Sequence, residues 1–263
     1  MTIPYFHIDS FTSEIFAGNP AGVCVVPEFP SDPVMQKIAA ENRHSETAFV
    51  VARPDGDFNL RWFTPEVEDD LCGHATLASA FALSLRDHKT WPVRFHTMSG
   101  LLTVDRDGDR FVMDFPARPP VLCDPPPELL PALGLPKLPV LRSSRDYLVE
   151  VESEAAVRNL NPDIDALAKI PMGVGGFIIT AQGAAPIDFV CRFFVPSIGI
   201  PEDPATGSIH CTLAPYWAER LGKQSFEAHQ LSPRGARMKS TVAGDRVKIS
   251  GEARLYLSGT IQL

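Results

Sequence analysis

The segment Gly73 to Leu85, GHATLASAFALSL, limits the possible folds more than any other part of this chain. Ala75, Leu77, Ala78, Ala80, Phe81, Ala82, Leu83 and Leu85 leave almost no polar face before Arg86. A helix that is apolar all round has to be enclosed by other elements. The flanking segments read as strands rather than helices: RWFTP (Arg61 to Pro65) precedes it and LLTVDRDGDRFVMDF follows. The predicted enclosure is therefore a curved mixed sheet wrapped round one central helix.

The same order of elements returns later in the chain. RFFVP (Arg192 to Pro196) ends an aromatic strand at proline, the loop SIGIPEDPATG carries acidic residues, and SIHCTLAPYWAERLG follows the glycine. Each half then closes with a hairpin, signalled by Asp107-Gly108 in the first and Gly244-Asp245 in the second. Three parallels in one order indicate an internal duplication. Pro215 is expected to kink the second helix or shorten its first part. Nine prolines between Pro116 and Pro139 favour extended, solvated backbone there and mark a domain boundary. The fold class read from these features is α+β with two pseudo-symmetric domains. One covers residues 1–116, joined by the last strand 253–263, and the other covers 117–252. A cleft between them is expected.

Composition narrows the function classes. The chain has 263 residues, 44% hydrophobic and 21% charged, which is ordinary for a globular protein and excludes disordered or collagen-like readings. A formal charge of −8 with no Lys/Arg run argues against a nucleic-acid partner. No window reaches the apolar length of a membrane span and the first residues lack a secretory pattern, so a cytoplasmic location is expected. Five cysteines without a CxxC pair fit reduced thiols rather than a disulfide framework or a zinc site.

Helix starts led by glycine present unpaired N–H groups and partial positive charge, a seat for a carboxylate. Two exist, Gly73-His74-Ala75 and Gly207-Ser208, and either also reads as a tight turn. In ENRHSETAFV, Glu46 stands just before an apolar run. If it opens a strand facing a closed site, desolvation favours its protonated form and lets it accept and return a proton near neutral pH. If SETA opens a helix instead, Glu46 is a solvated cap residue. Asp203, ahead of Pro204, reads equally as a turn residue or as an acid that orients a ligand. His210 and Cys211 read as filler within the helix, and no spacing makes a convincing metal site.

Taken together, FAGNPAGVCVV (Phe16 to Val26), SETAFV (Ser45 to Val50), RWFTP, LCGHATLA (Leu71 to Ala78), EDPATGSIH (Glu202 to His210) and QLSPRG (Gln230 to Gly235) resemble, in order, the signatures of the PhzF phenazine-biosynthesis-like isomerase family. The resemblance implies the diaminopimelate epimerase-like fold, a homodimer, and cofactor-independent isomerisation of a small substrate bearing a carboxylate. It implies that Glu46 shuttles the proton, that His74, Asp203 and Ser208 orient and polarise the substrate, and that Gly73, Ala75 and Gly207 at the helix starts hold its polar groups. His44 departs from the family pattern and would widen or polarise the pocket near Glu46. Racemases of this fold carry one cysteine at each helix start. Cys72 fills the first place, but the second offers only Ala205 or Thr206. An amino-acid racemase or epimerase using Cys72, and a non-catalytic binder of a small acidic metabolite, stand as the alternatives.

Overall fold

The computed structural model describes residues 2–86, 90–173 and 175–263. The chain divides into two compact units, residues 1–114 with 250–263, and residues 115–249. The crossings fall inside strands, two residues before the proline run and three before the last strand.

The first unit is built from β1 (Thr2–Ser10), β2 (Asn19–Val26), β3 (Glu46–Ala52), β4 (Phe58–Phe63), β5 (Glu68–Asp69), β6 (Val93–Thr97), β7 (Gly100–Asp107) and β8 (Arg110–Pro116), with helices α1 (Asp32–Asn42) and α2 (Gly73–Leu85). From β2 onward the pairing runs β2 parallel to β3, β3 antiparallel to β4, β4 parallel to β6, and β6 antiparallel to β7. Helix α2 lies against β1, β2, β3 and β7, and its residues from His74 to Ala80 are all buried. The enclosure demanded by its composition is met by a sheet that curves round it. The opposite face of the sheet carries a second apolar layer, in which Phe49, Val51 and Phe63 meet Met35 and Ile38 of α1.

The second unit contains β9 (Val121–Cys123), β10 (Val140–Arg142), β11 (Tyr147–Glu150), β12 (Phe177–Gln182), β13 (Phe189–Phe194), β14 (Ser225–Gln230), β15 (Ala236–Ala243) and β16 (Arg246–Gly251). Its helices are α3 (Leu129–Ala132), α4 (Glu154–Asn159), α5 (Ile164–Ala168) and α6 (His210–Leu221). Its pairing repeats that of the first: β11 parallel to β12, β12 antiparallel to β13, β13 parallel to β14, β14 antiparallel to β15. The last strand, β17 (Ala253–Gln262), returns to the first unit and pairs antiparallel with β1.

Three local expectations are refined. In the first hairpin Asp107 pairs with Arg110, so the turn residues are Gly108 and Asp109, and Gly108 takes φ 62° where only glycine is unstrained. Gly244 does the same at φ 66° in the second. The proline-rich segment is more than solvated linker, since Leu129 and Leu133 are fully buried in the second unit's core. Pro215 neither ends nor shortens α6, which runs through it after a single 3-10 turn, Gly207–Ile209. Proline removes the donor that would reach Cys211 O, and that carbonyl instead accepts the backbone N–H of Arg118 at 2.7 Å.

Candidate active site

Glu46 opens β3 and does not cap a helix. Alternation along the strand puts Glu46, Ala48 and Val50 on the face toward α2, while Thr47, Phe49 and Val51 face α1. Glu46 is therefore buried, at 6% exposure, despite its charge. His74, in the first turn of α2, is buried to the same degree, and its Nε2 lies 3.0 Å from Glu46 Oε2. The approach is close, but Glu46 Oε2 and His74 Nε2 form no hydrogen bond with each other.

The other side of the imidazole is clamped. Asn19 Nδ2 is 3.2 Å from His74 Nδ1, and the amide is oriented by Ser45, whose hydroxyl donates to Asn19 Oδ1 at 3.4 Å. An amide NH2 can only donate, so Nδ1 is the acceptor and a neutral ring carries its hydrogen on Nε2, toward Glu46. Cys72 Sγ also approaches Nδ1, at 3.4 Å. Ser10 Oγ donates to the His74 carbonyl at 2.8 Å and fixes the backbone of that turn. Asn19 and Ser10 carry no signal of this role in the sequence beyond the presence of Asn19 within FAGNPAG.

The start of α2 is open. Cys72 occupies the cap position in extended conformation without a capping side-chain bond, no acid lies in the first turn, and a β-carbon on Gly73 would meet nothing within 4 Å. Ala75 is fully buried, and its own carbonyl accepts from Ser79 Oγ at 2.7 Å. The amide-rich mouth is thus free of the internal cap that most helices use.

The second unit arranges its helix start differently. Thr206 holds the cap position, with φ −114° and ψ 98° against −129° and 114° for Cys72, which decides that Thr206 rather than Ala205 is the counterpart of the thiol. Its hydroxyl donates to Asp203 Oδ2, and its N–H donates to Gln230 Oε1 at 2.8 Å. Gln230 Nε2 returns a bond to Asp203 O at 2.6 Å, and Ser232 Oγ donates to Pro204 O at 2.7 Å. Gly207 is buried and Ser208 half-buried behind this network. Gln230 and Ser232 lie in the QLSPRG stretch, whose function as a brace could not be read from spacing.

His44 Nε2 is 3.0 Å from Tyr5 Oη and its ring lies 4.2 Å from that of His7. Tyr5 sits by Gly22 and Thr47, on the face away from Glu46. Burial pushes Cys24 up to about 12 and Cys211 up to about 11, and Cys191 higher still, and no disulfide links any of the five.

Glu46, Cys72 and His74 bring one oxygen, one sulfur and one nitrogen within 4.8 Å of one another, donor types that zinc accepts. The thiol, however, faces Nδ1 and the carboxylate faces Nε2. One ion takes the lone pair of one ring nitrogen, so the imidazole here bridges two acid–base groups instead of converging with both on a common point. A second group, Asp55, Asp57 and His96, is neutralised by Arg53 on Asp55 and by Arg94 and His96 on Asp57.

The fold extends to distant proteins: a hydroxyproline epimerase from Agrobacterium vitis, solved with bound trans-4-hydroxy-L-proline, superposes with a TM-score of 0.64 at 12% identity, covering 99% of this chain and 92% of that one. The architecture is thus diaminopimelate epimerase-like, built on two sheet-wrapped helices. The model of the phenazine biosynthesis-like proteins matches residues 8–259. An uncharacterized isomerase of Pseudomonas aeruginosa is 49% identical over 264 residues covering the whole of both chains. The crystal structure of a PhzF-family phenazine biosynthesis protein from Enterococcus faecalis is 42% identical, with a TM-score of 0.95 over both full lengths. The chain belongs to the phenazine biosynthesis-like (PhzF) family and is an isomerase.

Proposed function

We propose that this protein is a cofactor-independent isomerase in which Glu46 moves one proton along a small substrate bearing a carboxylate. The carboxylate of Glu46 takes a proton from a carbon next to an unsaturated or carbonyl system. The electron pair left behind delocalises into that system, and Glu46 returns the proton to another carbon on the same face. His74, whose Nε2 lies 3.0 Å from Glu46 Oε2, flanks the base and is held from its other side by the Asn19 amide. The open start of α2 at Gly73 receives the substrate carboxylate. Asp203, Ser208 and Gly207 of the second unit orient the remaining polar groups, as the family resemblance assigns them.

The observation that carries this reading is a buried carboxylate oxygen with no hydrogen bond of its own, set 3.0 Å from a buried imidazole. The test is a proton-NMR screen of small cyclic acids and amino acids in deuterated water. The parent is expected to exchange a substrate carbon hydrogen with solvent. Glu46→Gln should slow exchange by about 10²- to 10⁴-fold while ligand line broadening persists. Exchange at the parental rate in that variant would refute the proposal.

A second reading, a racemase in which Cys72 shares the work, draws support from the 3.4 Å contact of its thiol with His74. The second unit offers no matching thiol, because Thr206 stands in its place and its hydroxyl is committed to Asp203. Cys72→Ser should retain exchange if Glu46 alone is the base and lose it if the thiol delivers the second proton. Expectations of a homodimer and a cytoplasmic location accompany the family reading; light scattering of the purified protein tests the first. Among the described residues no helix is long and apolar enough to cross a membrane.

A further inference from the structure

The duplication gives every residue of the first helix mouth a counterpart in the second. Arg61 grips Glu68 with two bonds, Nε to Oε1 at 2.6 Å and Nη2 to Oε2 at 2.7 Å; Arg192 grips Glu202 with the same two atoms at 2.7 and 2.8 Å. Both arginines lie two residues before the end of the equivalent strand, and Phe63 pairs with Thr47 as Phe194 pairs with Phe177. Each gripped glutamate is followed five residues later by the glycine that starts the helix, Gly73 and Gly207. Asp69 therefore stands in the first unit where Asp203 stands in the second, and Glu46 stands where the second unit has Gly176.

The pleat fixes where Asp69 points. Ala48 pairs with Trp62 and Trp62 with Asp69, so the three share a side of the sheet with Glu46, the side toward α2. Arg61 and Glu68 lie on the other side, closed on each other and on Asp32. The charged groups that act on Asp69 are Glu46 from β3 and Asp70 from its own loop. Among the described residues no lysine or arginine pairs with it, and its one recorded hydrogen bond comes from the N–H of Leu71, at 3.3 Å to Oδ1. Burial, and then the charge of Glu46, push the Asp69 carboxyl up to about 6. Glu46 Oε2, buried and without a hydrogen bond, lies on the same side of the sheet.

We propose that Asp69 is a positioning residue of the first helix mouth, a second carboxylate whose charge sets when Glu46 is free to take up a proton. Two carboxylates without a cation between them titrate as a coupled pair, so the state of one is written into the other. The assignment goes beyond the family signature, which the resemblance carries onto Glu46, His74, Asp203, Ser208 and the helix-start residues Gly73, Ala75 and Gly207 but not onto Asp69. It rests on Glu46 being the base.

The test is a carbon-13 NMR titration of the full-length protein labelled at Asp and Glu side-chain carboxyls, with Asp69→Asn and Glu46→Gln used both to assign and to uncouple. In the parent, the Asp69 carboxyl should titrate near 6. In Glu46→Gln, which leaves Asp69 intact, that midpoint should fall by about one pH unit. In the hydrogen-exchange assay above, Asp69→Asn should move the acid limb of the pH profile to lower pH without abolishing exchange, and Asp69→Glu should restore the parental profile. A purely structural role would alter folding without moving that limb. An Asp69 midpoint near 4, or one that Glu46→Gln leaves unchanged, overturns the assignment while leaving Glu46 as the base. Coupling accompanied by undiminished exchange in Glu46→Gln overturns both.

Discussion

The two units share one frame and furnish it differently. In each, an arginine near the end of a strand holds a glutamate with a forked pair of bonds, lies over the next aromatic ring but one (Phe63 at 5.2 Å, Phe194 at 4.8 Å), and uses its third nitrogen to tie down the helix that crosses over. Arg61 Nη1 binds Asp32 in the first turn of α1 at 2.9 Å, whereas Arg192 Nη1 binds Leu160 O, just past the end of α4, at 2.6 Å. The clamp is thus a structural device, present twice because the frame is present twice. The helix mouths are another matter. The second satisfies itself, with Asp203, Thr206, Gln230 and Ser232 closed in a ring of hydrogen bonds. The first brings Glu46, the Cys72 thiol and His74 together, with the half-buried Asp69 on the same side of the sheet as Glu46. Buried acid–base groups gathered in this way are where proton-transfer chemistry is expected, and the contrast supports the proposal made above for the first unit.

Breaking the clamps should separate frame from function most strongly. Arg192→Met strands Glu202, whose side chain is only 16% exposed, and should cost about 3–5 kcal/mol in urea unfolding, while Arg61→Met, at a more solvated pair, should cost about 1 kcal/mol. Equal losses would mean that the two clamps are not buried differently in solution. Next in size is the pair of glycines. A β-carbon on Gly176, the counterpart of Glu46, would lie 2.5 Å from Phe194 O and 2.6 Å from Phe193 Cζ, so Gly176→Ala should destabilise by about 1–3 kcal/mol. Gly73→Ala meets no atom and should leave stability unchanged or raise it by up to about 1 kcal/mol, while weakening anion binding at the α2 start.

The helices themselves can be compared through His210 of α6, which occupies the place of Thr76 in α2. Thr76 bonds Cys72 O, whereas His210 is fully buried with neither ring nitrogen bonded among the described residues, and desolvation lowers it to about 3. Because this folded value lies below the value of about 6.5 in the unfolded chain, the unfolded state takes up the extra proton on acidification. Stability should therefore be complete above pH 6.5 and fall at about 1.4 kcal/mol per unit as pH drops toward 3. Unfolding curves of the parent and His210→Leu at pH 7.5 and 5.0 should show the slope reduced in the variant. The smallest effect is expected from Cys72→Ser, under about 1 kcal/mol, since the thiol caps nothing.

Much of this was legible along the chain. GHATLASAFALSL had to be wrapped, the repeated aromatic-strand, acidic-loop, glycine-helix order announced two similar units, and Gly108 and Gly244 marked the hairpins. The sequence motifs also picked out Glu46 and His74, which the structure brings together. The role of Asn19 was not legible, because a clamp on an imidazole depends on a side chain 55 residues away in the chain. Nor was that of Asp69, which in the run Glu68-Asp69-Asp70 looks like one of three equivalent acids until pairing with Trp62 turns it inward and its neighbour Glu68 outward. Pro215 misled for the same reason: its missing donor is harmless only because Arg118 supplies another.

What the sequence by itself determined is periodicity and residue type: which helix must be buried, where turns need glycine, and that two halves repeat. Only the tertiary structure decided which acids face which bases, because a strand's pleat sends neighbours to opposite sides. The difference between a solvated carboxylate and a working one is set by what lies across the sheet, not by what lies next along the chain.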